Sequence, residues 1–192
     1  ERKGGKTKLC VADVSKKKDA KKLIRFAIKN FGKIDVLINN AGIYKKHNEL
    51  TEKDRIRFFE LKYNAIEFCS DEAIKEGVKS IFNIASIYAV KPNFQSRLAS
   101  ALQTTVKSLT EMYAKEYVGK VQVNAIAPGW MNTTMVTSNY PKKLLQQVLK
   151  KEIPIKRLIE PEEVAKIVPF LLQSPLITGQ TIVVDGGYIL VH

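Results

Sequence analysis

The chain has 192 residues, 45% of them hydrophobic, which is enough for one domain spanning residues 1–192 with a sizeable core. No uninterrupted apolar run reaches the roughly 18 residues of a membrane span, and the polar start Glu1-Arg2-Lys3-Gly4-Gly5-Lys6 does not read as a signal peptide. The net charge is +13, and residues 1–33 carry +9 of it, from twelve Lys/Arg against three Asp/Glu, so anionic partners are attracted to that end.

Lys8-Leu9-Cys10-Val11-Ala12-Asp13 reads as a short buried strand ending at an acid, with Ser15 as the N-cap of the next helix. Ala20, Leu23, Ile24, Ala27, Ile28 and Phe31 then recur at one helical face. On that helix Lys16, Lys17, Lys18, Lys21 and Lys22 read as a solvated face. Gly32 falls at the C′ position. Ile34–Asn39 is the next strand, apolar as a parallel strand covered on both sides should be. Thr51 with Asp54 forms a capping box, followed by a long helical stretch to about Lys75 and a stop at Gly77. Ser80–Ala85 is a third strand, and residues 95–117 a helix with Leu98, Leu102, Leu109 and Met112 inward. Val121–Ala127 is a fourth strand, stopped by Pro128-Gly129. A polar loop, Thr133–Pro141, precedes a helix near Lys142–Glu152. Pro161 starts a helix running through Leu172, with Pro169 as a kink, and Thr181–Asp185 is the last strand. Strand and helix alternate, so the fold class is α/β, a doubly wound parallel sheet. Cys10 and Cys69 have no metal or redox spacing and read as buried free thiols, which fits a reducing cytoplasm.

Several segments share one resemblance. Asp35-Val36-Leu37-Ile38-Asn39-Asn40-Ala41-Gly42 holds an Asn-Asn-Ala-Gly signature. Asn124-Ala125-Ile126-Ala127-Pro128-Gly129, with Thr133 beyond, is a Pro-Gly segment. Pro161-Glu162-Glu163-Val164-Ala165 and Thr178-Gly179-Gln180 through Asp185-Gly186-Gly187 follow in order. With this order and spacing the chain resembles the short-chain dehydrogenase/reductase family, a Rossmann-like fold that uses NAD or NADP. In a doubly wound sheet the ligand lies outside the carboxyl ends of the strands, and Asp13, Asn39 to Gly42, Ser86 and Pro128-Gly129 all fall at such ends. The resemblance implies that Asp13 and Val14 meet the adenine. Asn39, Ala41 and Gly42 would flank the ribose, and Pro128, Gly129, Met131 and Thr133 the nicotinamide. Asn39 and Asn40 have a second reading, as braces between neighbouring strands. The resemblance also implies a small carbonyl or alcohol substrate and a homo-oligomer, dimer or tetramer, formed through the helices at 51–76 and 95–117.

Two departures stand against that pattern. The family uses an Asn, a Ser and a Tyr-x-x-x-Lys, the tyrosine as acid/base and the lysine as the charge that lowers its pKa. Asn64 and Ser86 match the first two positions. The tyrosine should stand thirteen residues after Ser86, where Ala99 stands, and the lysine position is Gln103. No tyrosine of the chain is followed four residues later by lysine. Tyr88 is a substitute acid to consider, with Lys91 as its only near cation in sequence, and Ser86 is equally readable as a structural hydroxyl. The second departure is at the N-terminus. The family opens with a strand and a Gly-rich turn that brings a helix to the pyrophosphate. Relative to it, Glu1–Lys6 already resembles a later helix end, and roughly forty to sixty residues, about one βαβ unit, are expected ahead of it. A Leu9–Asp13 strand would then have no neighbour, and Ile34–Asn39 a bare edge.

Three functions follow. The first is a catalytically impaired family member, because of Ala99 and Gln103. The second is a working NAD(P)-dependent oxidoreductase with atypical acid/base chemistry. The third is a nucleic-acid-binding protein, resting on the charge alone, since no RNA-binding motif or aromatic basic stripe is present. The substrate, and the choice between NAD and NADP, are not legible.

Overall fold

The computed structural model describes residues 4–45 and 47–191. Four parallel strands, β1 (Val36–Asn39), β2 (Ser80–Ile84), β3 (Gln122–Pro128) and β4 (Thr181–Val184), pair in chain order. Each neighbouring pair is joined by helical chain, as parallel pairing requires. Phe82 and Ile126 sit in one apolar cluster with Ile159, Val164 and Leu171. Ile81, Val123 and Ala125 face the opposite cluster, with Ile24, Ile66, Val106 and Leu109. Successive side chains of a strand point to opposite faces, so β2 and β3 are covered on both, and β3 is buried along its whole length.

Helix α1 (Lys17–Phe31) buries Ala20 and Ile24, and Gly32 ends it at φ 82, donating its N–H to the Ile28 carbonyl. The long helical stretch expected after Thr51 is two helices, α2 (Glu52–Lys62) and α3 (Asn64–Lys75), separated at Tyr63 with φ −111 and ψ −70. The expected capping box is present at Thr51 and Asp54. Helix α4 (Arg97–Glu116) buries Leu102 and Leu109, whereas Met112, expected inward, is 64% exposed. Its neighbours Leu109 and Tyr113 already fill the inward face. The Thr133–Pro141 segment is not a plain loop, since it contains α5 (Thr134–Asn139), followed by α6 (Lys142–Lys151). The expected helix from Pro161 is divided into α7 (Pro161–Ala165) and α8 (Ile167–Leu172), with the break at Lys166 and not at Pro169. Pro169 has no N–H to give the Ala165 carbonyl, and its ring crowds that carbonyl, so the ladder fails one turn earlier than the proline itself.

The largest correction concerns Leu9–Asp13. Among the described residues this segment pairs with no strand, and Leu9 and Val11 are 88% and 81% exposed. An unpaired segment has no ladder to make it a strand. Cys10 on this segment is correspondingly half-buried, unlike the buried Cys69. Of the expected helix end at Glu1–Lys6, residues 1–3 lie outside the described residues, and Gly4 sits in a bend at φ 79. Among the described residues no helix is long and apolar enough to cross a membrane.

Candidate functional site

The carboxyl ends of β1, β2 and β3 open into a cavity of about 680 Å³. Ser86, Ala99, Gln103, Pro128, Gly129, Met131 and Thr133 line it, with Gly42 and Asn40 at the end of β1. A smaller cavity of about 70 Å³ continues from it, lined by Val14, Asn39 and Ala41. The two share Ile38, Asn40 and Lys62. Nine of the eleven residues singled out from the sequence therefore lie along one continuous hollow at the strand ends. Asp13 and Asn64 line neither cavity.

Asp13 is instead a tether. Its Oδ1 accepts from Arg57 Nη2 at 2.9 Å and from Ser15 Oγ at 2.8 Å, and Arg57 also donates to Ser15 Oγ. Ser15 is thereby a buried link and not the helix cap expected of it; the N-cap of α1 is Lys16, without a side-chain bond. The Arg57 hydrogen bond holds the Asp13 carboxyl down to about 2, from an ordinary 3.8. A carboxyl depressed on folding contributes stability that is fully present above its ordinary value and is lost as the pH falls through the folded one. The Asp13 carboxyl resonance should therefore titrate with a midpoint near 2, and Arg57→Gln should return it towards 3.8. An unchanged midpoint in the variant would show that the tether is not what lowers it.

Asn39 shows its bracing role directly. Its Nδ2 donates to Asn83 Oδ1 on β2 at 2.8 Å and to Ser70 Oγ on α3 at 3.2 Å. Gly129 is required by close approach, because a Cβ there would lie 2.9 Å from the Asp185 Cα. The Asp185-Gly186-Gly187 segment is a turn. Asp185 accepts from the Gly187 and Ile189 N–H groups at 2.8 Å each, and both glycines have positive φ.

Just beyond β2, Ser86 caps a short 3-10 turn (Ile87–Ala89), its hydroxyl accepting from the Tyr88 N–H at 3.4 Å. Ala99 presents a methyl group to the cavity. One turn along α4, the buried Gln103 Oε1 has no hydrogen-bond partner. Tyr88 also lines the cavity, and burial pushes its hydroxyl pKa up. Asn93 gives it a hydrogen bond, and no cation is among the groups that shift it. One side of the cavity is aromatic. The Tyr44 hydroxyl bonds the Tyr140 hydroxyl at 2.8 Å, and Tyr140 packs edge-on against Trp130.

The residue that sequence reasoning missed is Lys62, at the end of α2. It lines both cavities, and its Nζ has one hydrogen bond, to the Ile84 carbonyl at 3.5 Å. Among the described residues it forms no ion pair, and burial pushes its pKa down. The available signal was a lysine flanked by Phe58, Phe59, Leu61 and Tyr63, immediately before the helix break.

A family model described as enoyl-(acyl carrier protein) reductase matches residues 1–189. The 3-oxoacyl-(acyl-carrier-protein) reductase FabG of Thermotoga maritima is 33% identical, over 97% of this chain and 78% of its own length. Glucose 1-dehydrogenase 2 of Bacillus subtilis is 31% identical, over 96% and 75%. Among solved structures, a short-chain dehydrogenase/reductase of Serratia marcescens superimposes with a TM-score of 0.87 at 28% identity, covering 97% of this chain and 78% of that one. The four-stranded parallel sheet, the hollow at its carboxyl ends and these matches together place the chain in the short-chain dehydrogenase/reductase family of oxidoreductases.

Proposed function

We propose that the hollow binds a nicotinamide cofactor, NAD or NADP, beside a small apolar carbonyl or alcohol compound, and that the family's reduction chemistry is impaired in this protein. The observation that carries the reading is the pair Ala99 and Gln103, which face the cavity where a proton donor and its tuning cation would be needed. The residues present fit the cofactor's two ends. Asp13 spends only Oδ1 on its tether, so Oδ2 is left as an acceptor for an adenine amino group, with Val14 beside it. Asn39, Ala41 and Gly42 would line the ribose, and Pro128, Gly129, Met131 and Thr133 the nicotinamide. When bound, the nicotinamide supplies or takes the hydride.

The chain's own groups then do less than the reaction needs. Ser86 can hydrogen-bond a substrate oxygen. Ala99 offers no proton, and the Gln103 amide can donate a hydrogen bond but cannot protonate an alkoxide. Loss of a general acid typically costs about 10²–10⁴ in rate. Purified protein should therefore turn over NADH and NADPH very slowly with aldehydes, ketones and sugars. Robust turnover that survives Tyr88→Phe would overturn this reading. A working enzyme with atypical chemistry has one observation in its favour, the Tyr88 side chain on the cavity wall near Ser86. It is the weaker reading, because burial moves that hydroxyl away from a useful pKa. Asn64, half-buried in the first turn of α3, would act only from behind this wall. Self-association through α2–α4 belongs to the same proposal, supported by the exposed Met112 on α4.

A further inference from the structure

Lys62 is the one wall residue whose chemistry the reading above leaves unused. The other lysine lining the large cavity, Lys45, is neutralised by Asp54 at 2.7 Å. Lys62 has no such partner among the described residues. The cavities it lines also carry the apolar side chains of Ile38, Ile84, Leu61 and Ala65, and its amine meets the Ile84 carbonyl. Its Nζ stands 3.4 Å from where a Cβ on Gly42 would be, so the lack of a side chain at Gly42 leaves the amine open to the hollow. Cys69, the nucleophile nearest in kind, lines only the small cavity, and burial pushes its thiol up to about 11, which leaves it inert.

We propose that, in the protein free of nicotinamide cofactor, the Lys62 ε-amine captures the carbonyl carbon of an apolar aldehyde or ketone in this cavity and condenses with it to an imine. A lysine desolvated by apolar surroundings is nucleophilic because its uncharged form is favoured there. The amine lone pair forms the C–N bond while the carbonyl π electrons move to oxygen. The carbinolamine so made loses that oxygen as water, with both amine hydrogens, and a C=N bond remains. Nothing is oxidised or reduced, so no nicotinamide takes part.

The proposal rests on the cavity's being a site for apolar carbonyl compounds, and the experiment separates the two. The protein is incubated with hexanal and sodium cyanoborohydride at neutral pH, and the alkylated lysines are mapped by peptide mass spectrometry. Binding is followed in parallel through the emission of the single tryptophan, Trp130, which packs on the cavity-lining Tyr140. Because the aldehyde is held beside the amine, Lys62 should gain a hexyl group at least about tenfold faster than any exposed lysine. Lys62→Arg and Lys62→Met should still bind hexanal but lose that fast phase. Binding of hexanal with Lys62 labelled no faster than surface lysines would overturn the imine and leave the cavity reading standing. Unchanged Trp130 emission with both hexanal and hexanol, and no preferential labelling, would overturn both.

Discussion

Ala99→Tyr combined with Gln103→Lys is expected to raise carbonyl reduction by about 10²–10⁴-fold over the unmodified protein. Both positions lie on α4, one turn apart, and both line the same cavity, so the new hydroxyl and the new ammonium would face the substrate together. The pair should be strongly non-additive. Tyrosine alone would enter an apolar wall that raises its pKa, as it does for Tyr88. Lysine alone would add a charge with no acid to tune. The check is steady-state oxidation of NADH and NADPH with a carbonyl panel, alongside Ala99→Phe as a control for volume. A double variant that folds, binds cofactor and is no faster than its parent would overturn the proposal that Ala99 and Gln103 impair the reaction.

Replacing Asn83 with alanine is expected to cost about 2–4 kcal/mol. Asn83 is fully buried at the centre of the network. It accepts from Asn39 Nδ2 at 2.8 Å and donates to Thr110 Oγ1 at 2.9 Å, so it ties β1 to β2 and the sheet to α4. The Thr110 hydroxyl in turn donates to the Val106 carbonyl at 2.8 Å. Alanine removes both bonds, strands an oxygen lone pair of Thr110 and leaves a void. Asn39→Ala, at a half-buried edge strand, should cost only about 1 kcal/mol. Urea unfolding measures both, through a lower midpoint at unchanged slope. A loss below about 1 kcal/mol for Asn83→Ala would mean that the network is not a structural tie.

The elements that were legible in the sequence share a physical trait: their signal is local. Gly32 marks a helix end because only a residue free of Cβ takes φ 82 readily, and Thr51 with Asp54 closes a capping box within four residues. Burial of β3 on both faces shows as an apolar run interrupted by Gln122, which donates to the Leu171, Ser174 and Ile177 carbonyls, and by Asn124, which donates to the Ile177 carbonyl and accepts from the Gln180 N–H. What was illegible depends on partners distant in sequence. Leu9–Asp13 has the composition of a strand, and although its lack of a neighbour was foreseeable, that lack leaves it without strand pairing among the described residues. Asp13 carries a motif-like position, yet Arg57, forty-four residues on, decides what it binds. The lining of the hollow was legible wherever it coincided with strand ends, as at Gly42, Ser86 and Pro128. Lys62 was not, because the break at Tyr63 sets which way the end of α2 faces, and no residue there announces it: Tyr63 is neither proline nor glycine.

That break has a mechanical consequence. Helix α2 buries only Leu61, and it is held mainly by charge: Lys45 to Asp54, Asp13 to Arg57 and Lys16 to Glu60. Exposed ion pairs of this kind contribute little and weaken in salt. With few apolar contacts of its own and a discontinuity at its C-terminal end, α2 can swing away without unravelling the sheet, at a free-energy cost well below that of global unfolding. Its backbone amides would then exchange with solvent ahead of those of α3 and α4, faster still at high ionic strength. The wall that carries Lys62 is thus one that can be drawn aside, which gives a bulky guest a way into the hollow past β2 and β3, the sides fixed by the core.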